Sequence, residues 1–180
     1  MYNVWHEFPA DRITPTDFVA YIEISKGQKQ KYELDKESGL LILDRVLYTS
    51  THYPMNYGMI PRTLSEDGDP LDVLVLCSEP LINCSLVRCH PIGVITMIDG
   101  GDADEKIIAL PFSDPTYAEY KSIHQLPKHI TNEIEHFFTV YKQLEGKDTF
   151  ITKNEGHKAA EEVIARSIDA YNAKYYKELL

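Results

Sequence analysis

The pattern of apolar and polar residues changes its period about two thirds of the way along the chain. In the first part, short segments rich in β-branched and aliphatic residues predict strands. These segments are 19–24, 30–34, 40–47, 71–77, 92–98 and 107–110. From Ile130 onward, apolar residues recur at helical spacing instead. This stripe consists of Ile130, Ile134, Phe137, Phe138, Tyr141 and Leu144.

Two helices are therefore predicted in the last third of the chain. Pro127 suits the entry of the first. The second follows Gly156, with Asn154 as its candidate N-cap. Its stripe consists of Ala160, Val163, Ile164, Ser167, Ile168, Tyr171 and Tyr175. A weaker pattern predicts a short helix over 117–123.

Consecutive strands without long helices between them indicate an α+β fold. We expect a small closed barrel, mostly antiparallel, with two or three helices packed outside it. No linker or internal repeat interrupts the pattern, so residues 1–180 are predicted to form a single domain.

Composition narrows the classes of partner. A formal net charge of −10 disfavours nucleic acid and anionic membranes as partners. No apolar segment approaches the length of a membrane span, and the N-terminus lacks the pattern of a secretory signal. Cys77, Cys84 and Cys89 show no CxxC spacing, so we expect them to be reduced. A cytoplasmic protein is predicted.

Two acidic segments carry candidate chemistry. Asp67, Asp69 and Asp72 lie on a turn that leads into an apolar strand, and such a turn offers the hard oxygen ligands that magnesium or calcium requires. An acidic surface loop is the alternative. The second segment, Asp99 to Glu105, taken alone is more simply interpreted as a hairpin loop. In a closed barrel, both strand ends can reach the same rim.

Cations and phenols accompany these acids. Lys31 and Glu33 share one strand face, which by itself could be a solvated outer face. Arg45 shares a face with leucines and needs a partner, either a carboxylate or a phosphate. Tyr141 could be a core aromatic or a donor to phosphate oxygens.

Together these segments resemble the soluble family I inorganic pyrophosphatases. The family's Asp-x-Asp-Pro-x-Asp loop is present as Asp67-Gly68-Asp69-Pro70-Leu71-Asp72. The other similar blocks follow in chain order: Glu23; Lys31-Tyr32-Glu33; Asp44-Arg45; Tyr53-Pro54-x-Asn56-Tyr57-Gly58; Asp99; Asp104-x-Lys106; and Tyr141-Lys142. The similarity extends over about 21–144.

The resemblance implies an OB-like barrel that hydrolyses pyrophosphate to two orthophosphates with several magnesium ions. It implies Asp69 as the general base, and Asp67, Asp72, Asp99 and Asp104 as metal ligands. The implied substrate-binding residues are Lys31, Arg45, Tyr57, Lys106, Tyr141 and Lys142, supported by Glu23, Glu33 and Tyr53. A homo-oligomer is also implied, and a hexamer is typical of bacterial members.

One position departs from the resemblance, and two other functions remain open. Gly100 stands where many bacterial relatives have an acidic residue. This chain therefore lacks one carboxylate beside Asp99, which the resemblance implies as a ligand of the metal ion that enters with the substrate. A non-catalytic OB-like module that binds nucleic acid would explain the tyrosines. Such modules use a positively charged groove, however, and this chain has acidic residues where the groove would be. A calcium-binding module would explain the acidic loops and leave the lysines without a role.

Overall fold

The computed structural model describes residues 2–176 and contains eight strands and three α-helices. The strands are β1 (Phe18–Ile24), β2 (Gln30–Leu34), β3 (Leu41–Val46), β4 (Asn56–Ile60), β5 (Leu71–Val75), β6 (Leu86–Asp99), β7 (Asp102–Pro111) and β8 (Thr149–Gly156). The helices are α1 (Val4–Glu7), α2 (Lys128–Val140) and α3 (His157–Tyr175).

Five of the strands close into a ring. Their order is β1-β4-β5-β7-β6, and β6 pairs again with β1. The 14-residue β6 is long enough to pair with three strands. Its first part pairs with β1 and its second part with β8, and it also pairs with β7. All pairs are antiparallel except β5 and β7. The α+β fold with a closed, mostly antiparallel OB-like barrel is therefore confirmed.

Both faces of the central strands are buried, which explains their continuous apolar runs. Val73 and Val75 belong to one core cluster, together with residues of α1 and α3. Leu74 and Leu76 belong to a second cluster, which contains the apolar face of α2. The alternating side chains of one strand thus join two cores on opposite faces.

The two long helices pack as their apolar stripes predict. Helix α2 buries Ile134, Phe137 and Phe138, and α3 buries Ala160, Val163, Ile164, Ser167 and Tyr171. The first stripe is shorter than predicted, because α2 ends at Val140. Leu144 lies in a following 3-10 turn with 67% of its surface exposed. No helix in the described part of the chain combines the length and apolar character needed to cross a membrane.

Two local predictions about helices are wrong. The segment 117–123 forms turns rather than a helix, and a 3-10 turn follows at Ile123–Gln125. A capping box with Ser122 as the N-cap begins this 3-10 turn, so regular structure starts only at Ile123. Asn154 is not the N-cap of α3, because it lies within β8 and the N-cap is Gly156.

Several strands differ from their predicted limits. Strands β4 (Asn56–Ile60) and β8 (Thr149–Gly156) both form where no strand was predicted. Strand β7 begins at Asp102, so the second acidic segment is mostly strand, with only Gly100 and Gly101 between β6 and β7. Strand β6 begins at Leu86, earlier than the predicted 92.

Strands β2 and β3 form a separate two-stranded hairpin. Leu43, expected to share an apolar face with Arg45, is 48% exposed. A register irregularity after Lys31 offsets the pairing in this hairpin, so that Lys31 lies opposite Arg45 and Tyr32 opposite Leu43. Arg45 therefore has an exposed leucine beside it on β3, whereas Leu47, just beyond the strand, is buried.

Candidate active site

One pocket gathers most of the residues singled out in the sequence. Its volume is about 320 Å³. The predicted site residues that line it are Glu23, Lys31, Glu33, Tyr57, Asp67, Asp69, Asp72, Asp99, Asp104, Lys106, Tyr141 and Lys142. Segments more than 100 residues apart in sequence therefore meet at one rim of the barrel.

Lys106 is the centre of the most buried part of the pocket. Its ammonium donates to Asp72 Oδ2 at 2.6 Å, to Asp104 Oδ2 at 2.9 Å and to the Tyr57 hydroxyl at 3.1 Å. Tyr57 in turn donates to Asp72. The parallel pairing of β5 with β7 creates this cluster, because it sets Asp72 directly beside Lys106.

The charges in this cluster perturb each other. Burial alone would lower the pKa of Lys106, but the neighbouring carboxylates of Asp72 and Asp104 outweigh it and raise this pKa well above its usual value. Burial also raises the pKa of Asp104, and the Asp72 carboxylate adds to that rise, although Lys106 opposes it. The site is therefore built from carboxylates that need cations nearby.

A second cation and acid pair comes from the end of β6 and the end of α2. Asp99 Oδ2 forms an ion pair with Lys142 and lies 3.4 Å from the Tyr141 hydroxyl. Tyr141 is buried, and desolvation raises its pKa, so the phenol stays protonated and able to donate at neutral pH. Because α2 ends at this point, both side chains reach the pocket.

The wall formed by β1 and β2 carries Glu23 and Lys31. Glu23 is 6% exposed and accepts from the Leu34 N–H at 2.8 Å. Burial and the Asp72 charge raise the pKa of Glu23 to about 8. Lys31 donates to Glu33 at 2.8 Å and to Asp44 at 3.0 Å.

Two predicted site residues lie outside the pocket lining. Arg45 donates to Glu145 at 2.9 Å and to Asp44 at 2.5 Å, so carboxylates supply the partners that its face required. Tyr53 is buried with 2% of its surface exposed and packs against Tyr57 and Phe137. Its ring contacts that of Tyr57, which lines the pocket.

The loop that carries Asp67 and Asp69 is held by its own hydrogen bonds. The Ser65 N–H donates to the Asp69 carbonyl at 2.8 Å, and the Asp69 N–H donates to Asp67 Oδ1 at 2.9 Å. The Asp69 carboxylate forms an ion pair with Lys36. The acidic surface loop considered from sequence is thus an ordered wall of the pocket.

The carboxylates suit a hard divalent cation. In the part of the chain that the structure describes, no three acidic, histidine or cysteine side chains form a ready-made metal site. Two of them, Asp72 and Asp104, nevertheless converge on a single cation, the Lys106 ammonium. Asp67 lines the same pocket. Oxygen-only donors of this kind match the preference of magnesium.

Sequence reasoning missed several residues around the pocket. Lys36 lies in the turn between β2 and β3, and only the hairpin geometry brings it to Asp69. Glu105 also lines the pocket and pairs with Arg166 of α3 at 2.5 Å. Glu145 is identified as part of the surroundings of the site only by its ion pair with Arg45 in the structure. None of these contacts has a sequence signal, because each joins segments that are distant along the chain.

Fold and pocket together define a class: a small β-barrel protein whose single rim combines carboxylates for hard cations with lysines and phenols for an anion.

Comparisons with known proteins agree with this class. Residues 20–172 match the family model described as inorganic pyrophosphatase. A soluble inorganic pyrophosphatase of Solanum tuberosum is 48% identical over 167 residues, which cover 93% of this chain and 79% of the relative. The chain therefore belongs to the inorganic pyrophosphatase family, as its sequence motifs predict.

Solved structures agree as well. The inorganic pyrophosphatase of Thermus thermophilus matches with a TM-score of 0.90 and 36% identity, over 95% of this chain and 99% of that one. The enzyme of Helicobacter pylori matches with a TM-score of 0.85 and 45% identity, over 88% of this chain and 95% of that one. Pyrophosphate hydrolysis is the activity that this membership supports.

Proposed function

We propose that this protein hydrolyses inorganic pyrophosphate to two orthophosphates with the help of several magnesium ions. One observation carries the proposal: a single pocket, in a member of the inorganic pyrophosphatase family, combines five aspartates with three of the lysines and two of the tyrosines that line it. The aspartates are Asp67, Asp69, Asp72, Asp99 and Asp104, and the other groups are Lys31, Lys106, Lys142, Tyr57 and Tyr141.

Asp67, Asp72, Asp99 and Asp104 are proposed to hold the metal ions. Asp72 and Asp104 already share one cation in the pocket, which supports this assignment. Bound magnesium would neutralise phosphate charge and lower the pKa of an attacking water. With Gly100 in place of an acid, Asp99 would act without the neighbour that many bacterial relatives have.

The cations and phenols are proposed to bind the two phosphoryl groups. Lys106 and Lys142 both line the pocket, and each is paired with an aspartate. Binding of phosphate oxygens exchanges these carboxylate partners for substrate, so positive charge is ready where negative charge develops. Tyr57 and Tyr141, kept protonated by burial, donate hydrogen bonds to the same oxygens.

Arg45 is proposed to join this set from outside the present pocket lining. It shares the Asp44 carboxylate with Lys31, so the two cations lie side by side at the pocket edge. Glu23, Glu33 and Tyr53 are proposed to support the site. Glu33 does so through its ion pair with Lys31, Glu23 does so through the buried carboxyl that accepts from the Leu34 N–H, and Tyr53 does so by packing.

Asp69 is proposed to be the general base that accepts the proton of the attacking water. Its side chain is half exposed, and its backbone is fixed by the loop hydrogen bonds. The Asp69→Asn variant keeps the size of the side chain but cannot accept this proton, so turnover should fall at least about 100-fold. Magnesium affinity, measured by calorimetry, should remain near that of the wild type. Unchanged turnover would remove Asp69 from this role.

The two other functions considered from sequence are not favoured. A nucleic-acid groove would have to accommodate the acids that line this pocket, and a calcium-binding module leaves four pocket lysines without a role. Neither explains why the chain matches an inorganic pyrophosphatase model over residues 20–172.

A homo-oligomer, and specifically a hexamer, remains a prediction from the resemblance, and a cytoplasmic location remains a prediction from the sequence. Exposed apolar side chains on and beside β3 support association between copies; they are Leu40, Ile42, Leu43, Val46 and Tyr48. Light scattering coupled to size-exclusion chromatography gives the number of copies directly.

A further inference from the structure

Four lysines line the pocket, and each forms an ion pair with a carboxylate. Three of them belong to the predicted substrate-binding set. The fourth, Lys36, has no role in the proposed function. It comes from the turn of the β2–β3 hairpin and reaches Asp69 on the acidic loop. The ion pair therefore joins two separate walls of the pocket.

The backbone of Lys36 is fixed from the N-terminal side. Asn3 Nδ2 donates to the Lys36 carbonyl at 2.9 Å. Gly39, in the same turn, has a φ of 71°, and a Cβ there would lie 2.8 Å from the Tyr2 carbonyl oxygen. The Gly39 N–H donates to the Asp35 carbonyl at 2.8 Å. The turn is thus anchored, while the Lys36 side chain extends away from it.

The ion pair itself is easily exchanged. The side chains of Lys36 and Asp69 are 52% and 49% exposed. Pairs between half-exposed side chains contribute about 0–1 kcal/mol, because water and salt screen the attraction and the two side chains lose freedom when they pair. Lys106, by contrast, has only 3% of its side chain exposed and cannot leave its partners cheaply. Lys36 is therefore the pocket lysine with an anchored backbone and a side chain that is free to change partner.

We propose that Lys36 is a further substrate-binding residue, which moves from Asp69 to a phosphoryl oxygen when pyrophosphate enters the pocket. The proposal rests on the proposed function. The exchange has two effects: the substrate gains a cation at the pocket mouth, and the Asp69 carboxylate is released from its partner. The Lys36 ammonium is thus bound by Asp69 in the free protein and by substrate in the complex.

This exchange predicts an effect on binding rather than on turnover. In Lys36→Met, the substrate loses one cation, so the KM for magnesium pyrophosphate should rise about fivefold to tenfold. Asp69 remains free to act, so kcat should change less than about twofold. Lys36→Arg keeps the charge and should restore KM to within about threefold of the wild type.

The experiment compares wild type, Lys36→Met, Lys36→Gln, Lys36→Arg and the control Lys158→Met. Lys158 lies on α3 with 80% of its side chain exposed and does not line the pocket. Orthophosphate release gives KM and kcat. Calorimetry of inorganic phosphate binding, in the presence of magnesium, gives a readout that does not depend on turnover. Thermal melting checks that each variant is folded.

The expected result is a higher KM and weaker phosphate binding in Lys36→Met and Lys36→Gln, with both restored in Lys36→Arg and unchanged in Lys158→Met. An unchanged KM and phosphate affinity in the two neutral variants would overturn the assignment of Lys36. So would a fall in kcat at constant KM, because it would show a role confined to Asp69. If the wild type releases no orthophosphate, the proposed function fails instead.

Discussion

Replacing Glu23 by glutamine should change how the stability of the metal-free protein depends on pH. The Glu23 carboxyl is 6% exposed and lies among the charges of Asp72, Lys31 and Glu33. Desolvation and the Asp72 charge raise its pKa from 4.5 to about 8. The folded protein therefore holds a proton on Glu23 that the unfolded chain releases.

The sign and size of the effect follow from this difference. The stability that the bound proton provides is complete below pH 4.5 and is lost progressively as the pH rises to about 8. One proton changes the free energy of unfolding by about 1.4 kcal/mol per pH unit. Between pH 5 and pH 8, the wild type should therefore lose on the order of 3 kcal/mol relative to Glu23→Gln. The amide still accepts the hydrogen bond from the Leu34 N–H.

Urea denaturation of both proteins, in the presence of a chelator, measures this difference across the pH range. The difference between the two curves isolates Glu23, because the other titrating groups are common to both proteins. Glu119→Gln removes an exposed glutamate and serves as the matched control. Parallel stability curves for wild type and Glu23→Gln would refute the raised pKa of Glu23 and the burial argument behind it.

Three further substitutions test other parts of the account. Asp72→Ala should raise the magnesium concentration needed for half-maximal activity at least about tenfold, and an unaltered metal titration would remove Asp72 from the ligand set. Lys106→Met should lower the metal-free stability by on the order of 2–3 kcal/mol, seen by urea denaturation, because two carboxylates lose their shared partner. Gly58→Ala should destabilise the barrel by at least about 3 kcal/mol, since its Cβ would lie 1.9 Å from the Tyr21 carbonyl oxygen; a wild-type melting temperature would contradict this.

Much of the site could be predicted because its chemistry is concentrated in short motifs. Asp67, Asp69 and Asp72 fall within six residues, and this spacing was informative without any knowledge of their distant neighbours. Both long helices were predictable for a similar reason: their apolar stripes are local and regular. The order of the strands around the ring, in contrast, depends on contacts between distant segments.

Strand β4 illustrates why some elements escaped prediction. Pro54 and Gly58 within a short polar and aromatic segment are typical of a loop. In the barrel, Gly58 is instead required inside a strand, because the backbone of β1 approaches it so closely that no side chain fits. Strand β8 was missed because it carries Lys153, Asn154 and Glu155, which hide any alternation of apolar residues.

The partners of the charged residues were the least predictable part of the site. Arg45 clearly needed a partner, yet Glu145 lies 100 residues away in sequence. The cluster around Lys106 depends on the parallel pairing of β5 with β7, the one parallel pair in a barrel otherwise antiparallel. Such pairings are set by the closure of the whole barrel, so no local pattern encodes them.

The most direct test of the central claim is orthophosphate release from pyrophosphate, measured on the wild-type protein as magnesium is titrated. The account predicts two orthophosphates for each pyrophosphate consumed, with a rate that rises with magnesium and disappears when the metal is chelated. Release that is independent of divalent metal, or no release at any magnesium concentration, would contradict it.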